Sequence, residues 1–160
     1  MPTLSESESQ HARSARRAGW LLLAAAVLAA AAERVDPSNL TQMTAYAQDG
    51  HLRLEYSLLD HAGTPTKLRL WVAPGLDSDG KLRVRMSQRY LRLMRIDRVS
   101  PEPERVETGE EDIVFVFKAP PRGDPATIEF DVQPLEYGRR DGRLAVTGDH
   151  PVEFTQYLVP

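Results

Sequence analysis

Residues 51–58 read His-Leu-Arg-Leu-Glu-Tyr-Ser-Leu, and they decide the fold because apolar and polar side chains alternate strictly along them. The alternation puts Leu52, Leu54, Tyr56 and Leu58 on one face and the four other side chains on the opposite face. A period of two residues is typical of a β-strand that is buried on one side only. We therefore predict a half-buried strand here.

Six further segments have strand-like patterns. Residues 113–117 are apolar at every position, which is typical of a strand covered on both faces. The other five alternate or are short and largely apolar, and they are residues 67–72, 81–86, 127–132, 143–146 and 152–158. Short strands at this spacing, separated by turn residues, predict an all-β fold. We expect an immunoglobulin-like antiparallel sandwich of about seven strands.

Three Asp-Gly pairs punctuate these strands, at residues 49–50, 79–80 and 141–142. Asp-Gly is a preferred sequence for two-residue hairpin turns, because both central residues adopt positive φ. The sequence therefore predicts a turn at each of the three pairs.

Residues 18–32 contain no charged side chain, and Arg13, Arg16 and Arg17 precede them. An apolar segment flanked by basic residues inserts with those residues retained in the cytoplasm. Fifteen residues of helix cover only about 22 Å of a hydrocarbon core about 30 Å thick. Two interpretations therefore stay open, an uncleaved transmembrane anchor and a signal peptide that is cleaved after Ala32.

These observations predict three parts. Residues 1–17 form a disordered cytoplasmic tail, residues 18–32 form the transmembrane anchor or signal peptide, and residues 33–160 form an extracytoplasmic β-sandwich domain. The expected location is the cell membrane, with a single pass, a cytoplasmic N-terminus and an extracytoplasmic C-terminal domain.

The amino-acid composition argues against several classes of function. The chain has no cysteine and a net charge of −3 at pH 7, which argues against thiolate metal chemistry and against nucleic acid as a partner. Three of the four histidines (His51, His61 and His150) lie next to turns, and none has the spacing of a helical zinc pair. We find no nucleophile motif. We therefore expect no catalytic residues, no cofactor and no metal.

Residues 88–98 contain arginine at every third position, namely Arg89, Arg92, Arg95 and Arg98. One interpretation is a strand or short helix that connects the two sheets, with solvated arginines that pair with the acidic residues of segment 100–112. The other is a docking face for anionic headgroups or for an acidic partner.

The aromatic residues suggest an alternative function. The first hypothesis is an anchored interaction module. If the N-terminal segment is cleaved, the alternative is a secreted periplasmic domain that binds a small ligand or an envelope glycan. A stacking platform for that ligand can be drawn from Tyr46, Trp71, Tyr90, Tyr137 and Tyr157.

Several segments resemble a group of small bacterial single-span membrane proteins with an extracytoplasmic immunoglobulin-like domain. The resemblance covers residues 18–160 and lies in residues 91–96, 99–103, 115–117, 128–134 and 154–160. Its motifs are strand and turn positions, so it implies a fold and a topology and carries over no catalytic residue. The resemblance also implies an accessory role beside YetF-like multi-pass membrane proteins.

Overall fold

Strict alternation places the apolar side chains of residues 52–57 inward, as the sequence predicts. Leu52, Leu54 and Tyr56 are buried in a strand that spans Leu52–Ser57. The structure is a computed structural model that describes residues 41–121 and 123–160. The predicted tail, the apolar segment 18–32 and residues 33–40 lie outside the described residues. Within the described part of the chain, no helix is long and apolar enough to span a membrane.

The described residues form eleven strands and one short helix. In chain order these are β1 (Gln42–Tyr46), β2 (Leu52–Ser57), β3 (Leu59–His61), β4 (Thr66–Val72), β5 (Lys81–Ser87), α1 (Gln88–Leu91), β6 (Met94–Ser100), β7 (Arg105–Thr108), β8 (Asp112–Lys118), β9 (Ala126–Pro134), β10 (Gly138–Val146) and β11 (Val152–Val159). The strands make two sheets. The first sheet has the order β1-β2-β4-β9-β6, and the second has the order β3-β11-β10-β5-β8-β7. The prediction of an all-β sandwich is confirmed.

The core lies between the inward faces of the two sheets. From the first sheet come Leu54, Leu70 and Phe130, each with no exposed surface, and from the second come Met86 and Phe117. The residues of both sheets belong to one hydrophobic cluster. The inward faces predicted for residues 67–72, 81–86 and 127–132 are confirmed.

The count of about seven strands is too low, because β1, β3, β6 and β7 carry weak patterns. All four residues of β7 are exposed, and β3 has only three residues. The chain passes from the first sheet to the second at Leu58, and β3 then pairs with β11 in parallel. This pairing departs from the predicted antiparallel arrangement, whereas the other strand pairings are antiparallel.

Two of the three Asp-Gly turns are present. Residues 49–50 lie in the β1–β2 turn, and residues 79–80 close a hairpin in which Ser78 and Lys81 exchange two backbone hydrogen bonds of 2.9 Å. The prediction of a turn at residues 141–142 is wrong, because both residues lie inside β10. Gly142 is needed there for a different reason, since a Cβ at this position would meet the ring of Phe154.

The two ends of the sandwich differ. The β1–β2 and β10–β11 turns lie together at one end, which we call the turn end, since His150 contacts Asp49 there. The opposite end carries α1 and is called the helix end. The side chain of Gln156 joins α1, through Tyr90, to Ser57 at the end of β2. Ser57 is the register partner of Gln42, so β1 begins at the helix end.

Candidate functional site

The short helix α1 connects the two sheets. Its buried side chains face the core and its exposed side chains face the solvent. Arg89 is exposed, Tyr90 and Leu91 are buried, and Arg92 is exposed. The Tyr90 hydroxyl donates a hydrogen bond to Gln156 Oε1, and the Tyr90 ring packs against Phe154 with centroids 5.1 Å apart. Burial raises the pKa of the Tyr90 hydroxyl far above its ordinary value of 10.0. These contacts fix the direction in which the two arginines project.

The four arginines at three-residue spacing fall into two pairs. Arg89 and Arg92 belong to or follow α1, whereas Arg95 and Arg98 lie on β6 in the first sheet. The interpretation of this segment as a connection between the sheets is therefore confirmed.

Arg95 and Arg98 are already neutralised by carboxylates. Arg95 Nε lies 2.7 Å from Asp97 Oδ1, and Arg98 Nε lies 2.9 Å from Asp131 Oδ2. The expected pairing with the acidic segment 100–112 is wrong for these two residues. Strand β6 pairs with β9 in the first sheet, whereas β7 pairs with β8 in the second, so the two segments do not lie side by side.

Arg89 and Arg92 differ from the other pair. Arg92 Nη2 donates a 3.0 Å hydrogen bond to Gln88 Oε1, a neutral acceptor. Within residues 41–121 and 123–160, neither arginine has a carboxylate oxygen within 4.0 Å of a guanidinium nitrogen. Both are exposed. They therefore present two positive charges that no neighbouring carboxylate neutralises directly.

A groove of about 660 Å³ opens beside α1 on the second sheet. We call it the arginine groove and define it by the basic side chains of Arg89, Arg139 and Arg143, the acidic side chains of Asp141 and Glu153, and the ring of Tyr157. A smaller hollow of about 360 Å³ adjoins it and includes both Arg89 and Arg92. The two cavities share Arg89 and Arg143.

Among the described residues, Arg139 and Arg143 have carboxylate partners and Arg89 is the cation of the arginine groove without one. Arg139 Nε lies 3.0 Å from Asp141 Oδ1, and Arg143 Nη2 lies 3.1 Å from Asp112 Oδ1. A hydrogen bond from Thr155 and the nearby Arg139 lower the pKa of Asp141 below 3.8, so this carboxylate is charged at neutral pH. A guanidinium such as that of Arg89 binds carboxylates or phosphates through two parallel hydrogen bonds.

The five aromatic residues considered for a stacking platform do not lie on one surface. Tyr90 is only 1% exposed and belongs to the core. Tyr46 and Trp71 both lie in the first sheet beside Arg53, whose guanidinium carbon is 5.8 Å from the Trp71 ring. Tyr157 belongs to the second sheet. The proposed platform is therefore not assembled.

The turn end holds a second group of polar side chains, for which the sequence predicted no role. We call Asp49, His51, Asp149 and His150 the turn cluster. His150 Nδ1 is 3.1 Å from Asp49 Oδ2, and His51 Nδ1 is 3.7 Å from Asp49 Oδ2 and 3.8 Å from Asp149 Oδ2. One ligand atom from each of Asp49, His51 and Asp149 falls within 4.8 Å of the others, so these three residues can hold a metal ion.

The two carboxylates of the turn cluster have opposite pKa shifts. A hydrogen bond with Asp149, followed by one with His150, lowers the pKa of Asp49 below its ordinary value of 3.8. Burial, followed by the hydrogen bond with Asp49, raises the pKa of Asp149 above 3.8. Two adjacent carboxyl groups behave in this way because ionising the second places like charges together.

The sequence carries a signal for the turn cluster at two separate places. Each turn has an aspartate within two positions of a histidine, as Asp49-Gly50-His51 and Gly148-Asp149-His150. The two turns are 101 residues apart at the Asp49–His150 contact, so only the strand order brings them together.

Comparisons with known proteins find only distant structural neighbours. No protein-family model matches the chain, and no curated protein matches it. The chain is similar to a non-cellulosomal cohesin from the archaeon Archaeoglobus fulgidus, with 12% identity, a TM-score of 0.42 and coverage of 75% of this chain and 91% of that one. It is similar to a cohesin module from a Clostridium perfringens family 33 glycoside hydrolase, with 7% identity, a TM-score of 0.42 and coverage of 72% and 97%.

A third solved structure is the cupredoxin domain of amoB from Nitrosocaldus yellowstonii, with 12% identity and a TM-score of 0.30 over 69% of this chain and 57% of that one. The strand order of the described residues defines a two-sheet β-sandwich. At these TM-scores the neighbours carry no argument about binding or activity.

Proposed function

We propose that this protein is a non-enzymatic interaction module that binds an acidic segment of another membrane protein in the arginine groove. In this proposal, residues 18–32 anchor the chain as a single transmembrane helix. They present the immunoglobulin-like sandwich of residues 33–160 outside the cytoplasm. The observation that carries the proposal is that Arg89 and Arg92 are exposed beside the groove without a carboxylate within ion-pair distance in the described part of the chain.

Unpaired arginines favour binding over simple solvation. An exposed ion pair contributes only about 0–1 kcal/mol, so one arginine alone does not define a binding surface. Here Arg89 borders both cavities and Arg92 borders the smaller one, whose lining also includes Glu110 and Glu111, so a partner carboxylate would reach the arginines beside these two glutamates. Bidentate contacts with carboxylates or phosphates are among the strongest that a guanidinium makes. We therefore propose an acidic peptide segment as the occupant of this surface.

The entry point of the chain supports a membrane partner. Strand β1 begins at the helix end, and Thr41 at its start accepts a hydrogen bond from the Leu58 backbone there. The chain therefore enters β1 at the end of the sandwich that carries α1. The resemblance noted above suggests YetF-like multi-pass proteins as the partner class.

The test uses the full-length chain with a C-terminal tag, extracted in mild detergent from its own membranes. We expect co-purification of a membrane protein with the wild type, and its loss with Arg89→Gln/Arg92→Gln. The matched control is Arg95→Gln/Arg98→Gln, which removes the same net charge from arginines that already have carboxylate partners. Equal recovery with both variants and the wild type would contradict the proposal.

Salt dependence separates the proposed contact from hydrophobic adhesion. The Debye length falls from about 30 Å at 0.01 M salt to about 10 Å at 0.1 M. Capture by wild type should weaken across this range, and the difference between the two double variants should shrink with it. A further measurement is co-sedimentation with protein-free vesicles that contain anionic phospholipid. If wild type binds these vesicles and only Arg89→Gln/Arg92→Gln loses that binding, the partner is a lipid surface and not a protein.

The mature N-terminus decides between anchoring and secretion. Mass spectrometry of the purified protein should find residues 1–32 present. A chain that starts at Glu33 would remove the anchor and favour the alternative, a secreted periplasmic domain that binds a small ligand or an envelope glycan.

A further inference from the structure

We infer that the turn cluster is a binding site for a divalent transition-metal ion of the Zn²⁺ type, with Asp49, His51 and Asp149 as ligands and His150 orienting Asp49. This site lies at the turn end, away from the arginine groove, and the inference does not depend on the proposed function.

The donor atoms lie somewhat farther apart than tetrahedral coordination requires, and all three fall within 4.8 Å of one another. Ligand atoms about 2.0–2.1 Å from a tetrahedral zinc ion lie about 3.3 Å from one another. His51 Nδ1 lies 3.7 Å from Asp49 Oδ2 and 3.8 Å from Asp149 Oδ2, so shifts of about half an ångström close the site around an ion. Three protein ligands leave a fourth position for water, as in zinc sites that are not purely structural.

A second observation, which is independent of these distances, also points to a bound cation. The Asp149 side chain is only 5% exposed, and its buried Oδ2 atom receives no hydrogen bond from the described residues once both Asp49 and Asp149 are ionised, since two carboxyl groups share a hydrogen bond only while one is protonated. Its other oxygen accepts a 2.9 Å hydrogen bond from the His150 backbone N–H. A buried carboxylate oxygen without a donor is costly, and this one lies 3.8 Å from His51 Nδ1. A cation between them would satisfy it.

The ligand set selects the type of ion. Ca²⁺ takes six to eight oxygen ligands, whereas imidazole nitrogen combined with carboxylates suits Zn²⁺ and its neighbours. His150 Nδ1 lies 3.1 Å from Asp49 Oδ2 and holds that carboxylate in place. Outer partners of this kind commonly change metal affinity by about 10–100-fold.

Both turns are built to present their ligands rigidly. Gly50 and Gly148 adopt positive φ values of 76° and 90°, which glycine tolerates better than other residues and which keep the turns short. A 3.0 Å backbone hydrogen bond from Ala47 to Leu52 closes the first turn, and one of 3.1 Å from Asp149 to Val146 closes the second. Since the turns belong to different sheets, a bound ion would link the two sheets at the turn end.

The experiment uses the full-length chain in detergent, stripped with a chelator and titrated with Zn²⁺ by calorimetry while the melting temperature is followed. We expect one site and a melting temperature that rises with Zn²⁺, because an ion that binds only the folded state stabilises it. Ca²⁺ and Mg²⁺ at equal concentration should produce a smaller rise. Co²⁺ is a second probe, and its visible spectrum should show nitrogen and oxygen ligands in tetrahedral geometry.

The variants make the outcome specific to the turn cluster. His51→Ala removes a ligand whose side chain is 55% exposed, so the fold is expected to persist and the Zn²⁺ affinity to fall by more than about 100-fold. His150→Ala should weaken binding by about 10–100-fold. The matched control is His61→Ala, which changes an exposed histidine at the end of β3 outside the cluster, and this variant should bind Zn²⁺ as wild type. Unchanged affinity in His51→Ala, or the absence of a Zn²⁺ effect on wild type, would overturn the inference.

Discussion

The ring of Phe154 fills the space into which a side chain on Gly142 would project, and the two residues are direct cross-strand partners on β11 and β10. The same ring contacts Tyr56 and Tyr90, with centroid distances of 5.2 Å and 5.1 Å. A glycine inside a strand often marks such a close approach. Gly142 therefore holds an aromatic cluster in place at the base of the arginine groove.

We predict that Gly142→Ala destabilises the domain by about 1–3 kcal/mol, because the new methyl group overpacks the site. The measurement is urea denaturation followed by circular dichroism. Adding Phe154→Leu should recover part of the loss, since a smaller side chain opens the space. If the two changes are additive, Phe154 is not the residue that requires glycine.

Truncation of the core phenylalanines should be costly. Phe115 and Phe130 are 3% and 0% exposed, and their rings meet edge-on at 5.2 Å. Each single change to alanine should lower the free energy of unfolding by about 3–5 kcal/mol. The double variant should lose less than the sum, because the two residues share one contact. The control is Tyr46→Ala, at an exposed position, which should change the free energy of unfolding by less than about 0.5 kcal/mol.

The buried hydrogen bond between Tyr90 and Gln156 offers a third measurement. In Tyr90→Phe, the buried Gln156 Oε1 loses its donor, and an unsatisfied buried acceptor costs about 1–3 kcal/mol. Tyr157→Phe removes the same atom from a partly exposed ring and is the matched control. Equal stabilities of the two variants would show that the Tyr90 hydroxyl contributes nothing.

Asp60 makes stability depend on pH. Burial raises its pKa above the ordinary value of 3.8, outweighing the hydrogen bonds from Thr66 and Ser57, and Oδ2 has no hydrogen-bond partner among the described residues. Above pH 3.8 the unfolded chain releases this proton more readily than the folded one, so the contribution of Asp60 to stability falls as pH rises. The free energy of unfolding of Asp60→Asn minus that of wild type should therefore grow from pH 3 to pH 7. A difference that is flat or shrinks over this range would contradict the raised pKa.

The sequence was sufficient where strands are buried on one side. Alternation in residues 51–58 reported both the strand and its inward face, because burial of Leu52 and Leu54 requires a period of two. The edge strand β7 gave no such signal, since its four residues are exposed. The prediction of a turn at Asp141-Gly142 was wrong because an Asp-Gly pair indicates a turn by local preference alone. Glycine is required at position 142 by contact with the ring of Phe154, twelve residues later in the chain.

The candidate site was predictable only in part. Three-residue spacing drew attention to Arg89 and Arg92, but spacing does not show that the chain leaves α1 and enters the other sheet before Arg95. Local sequence therefore grouped four arginines that the fold divides. The turn cluster depends on a contact between Asp49 and His150, which lies beyond the reach of any local pattern.

The arrangement of α1 has an evolutionary consequence. Arg89 and Arg92 face outward from the same turn of helix whose Tyr90 and Leu91 are buried. Exposed positions tolerate substitution at little cost in stability, and proteins lose function mainly when stability falls below a threshold. Related chains can therefore diverge in charge at these two positions while inheriting the same sandwich unchanged; under the proposed function, such divergence would change the partner that each chain selects.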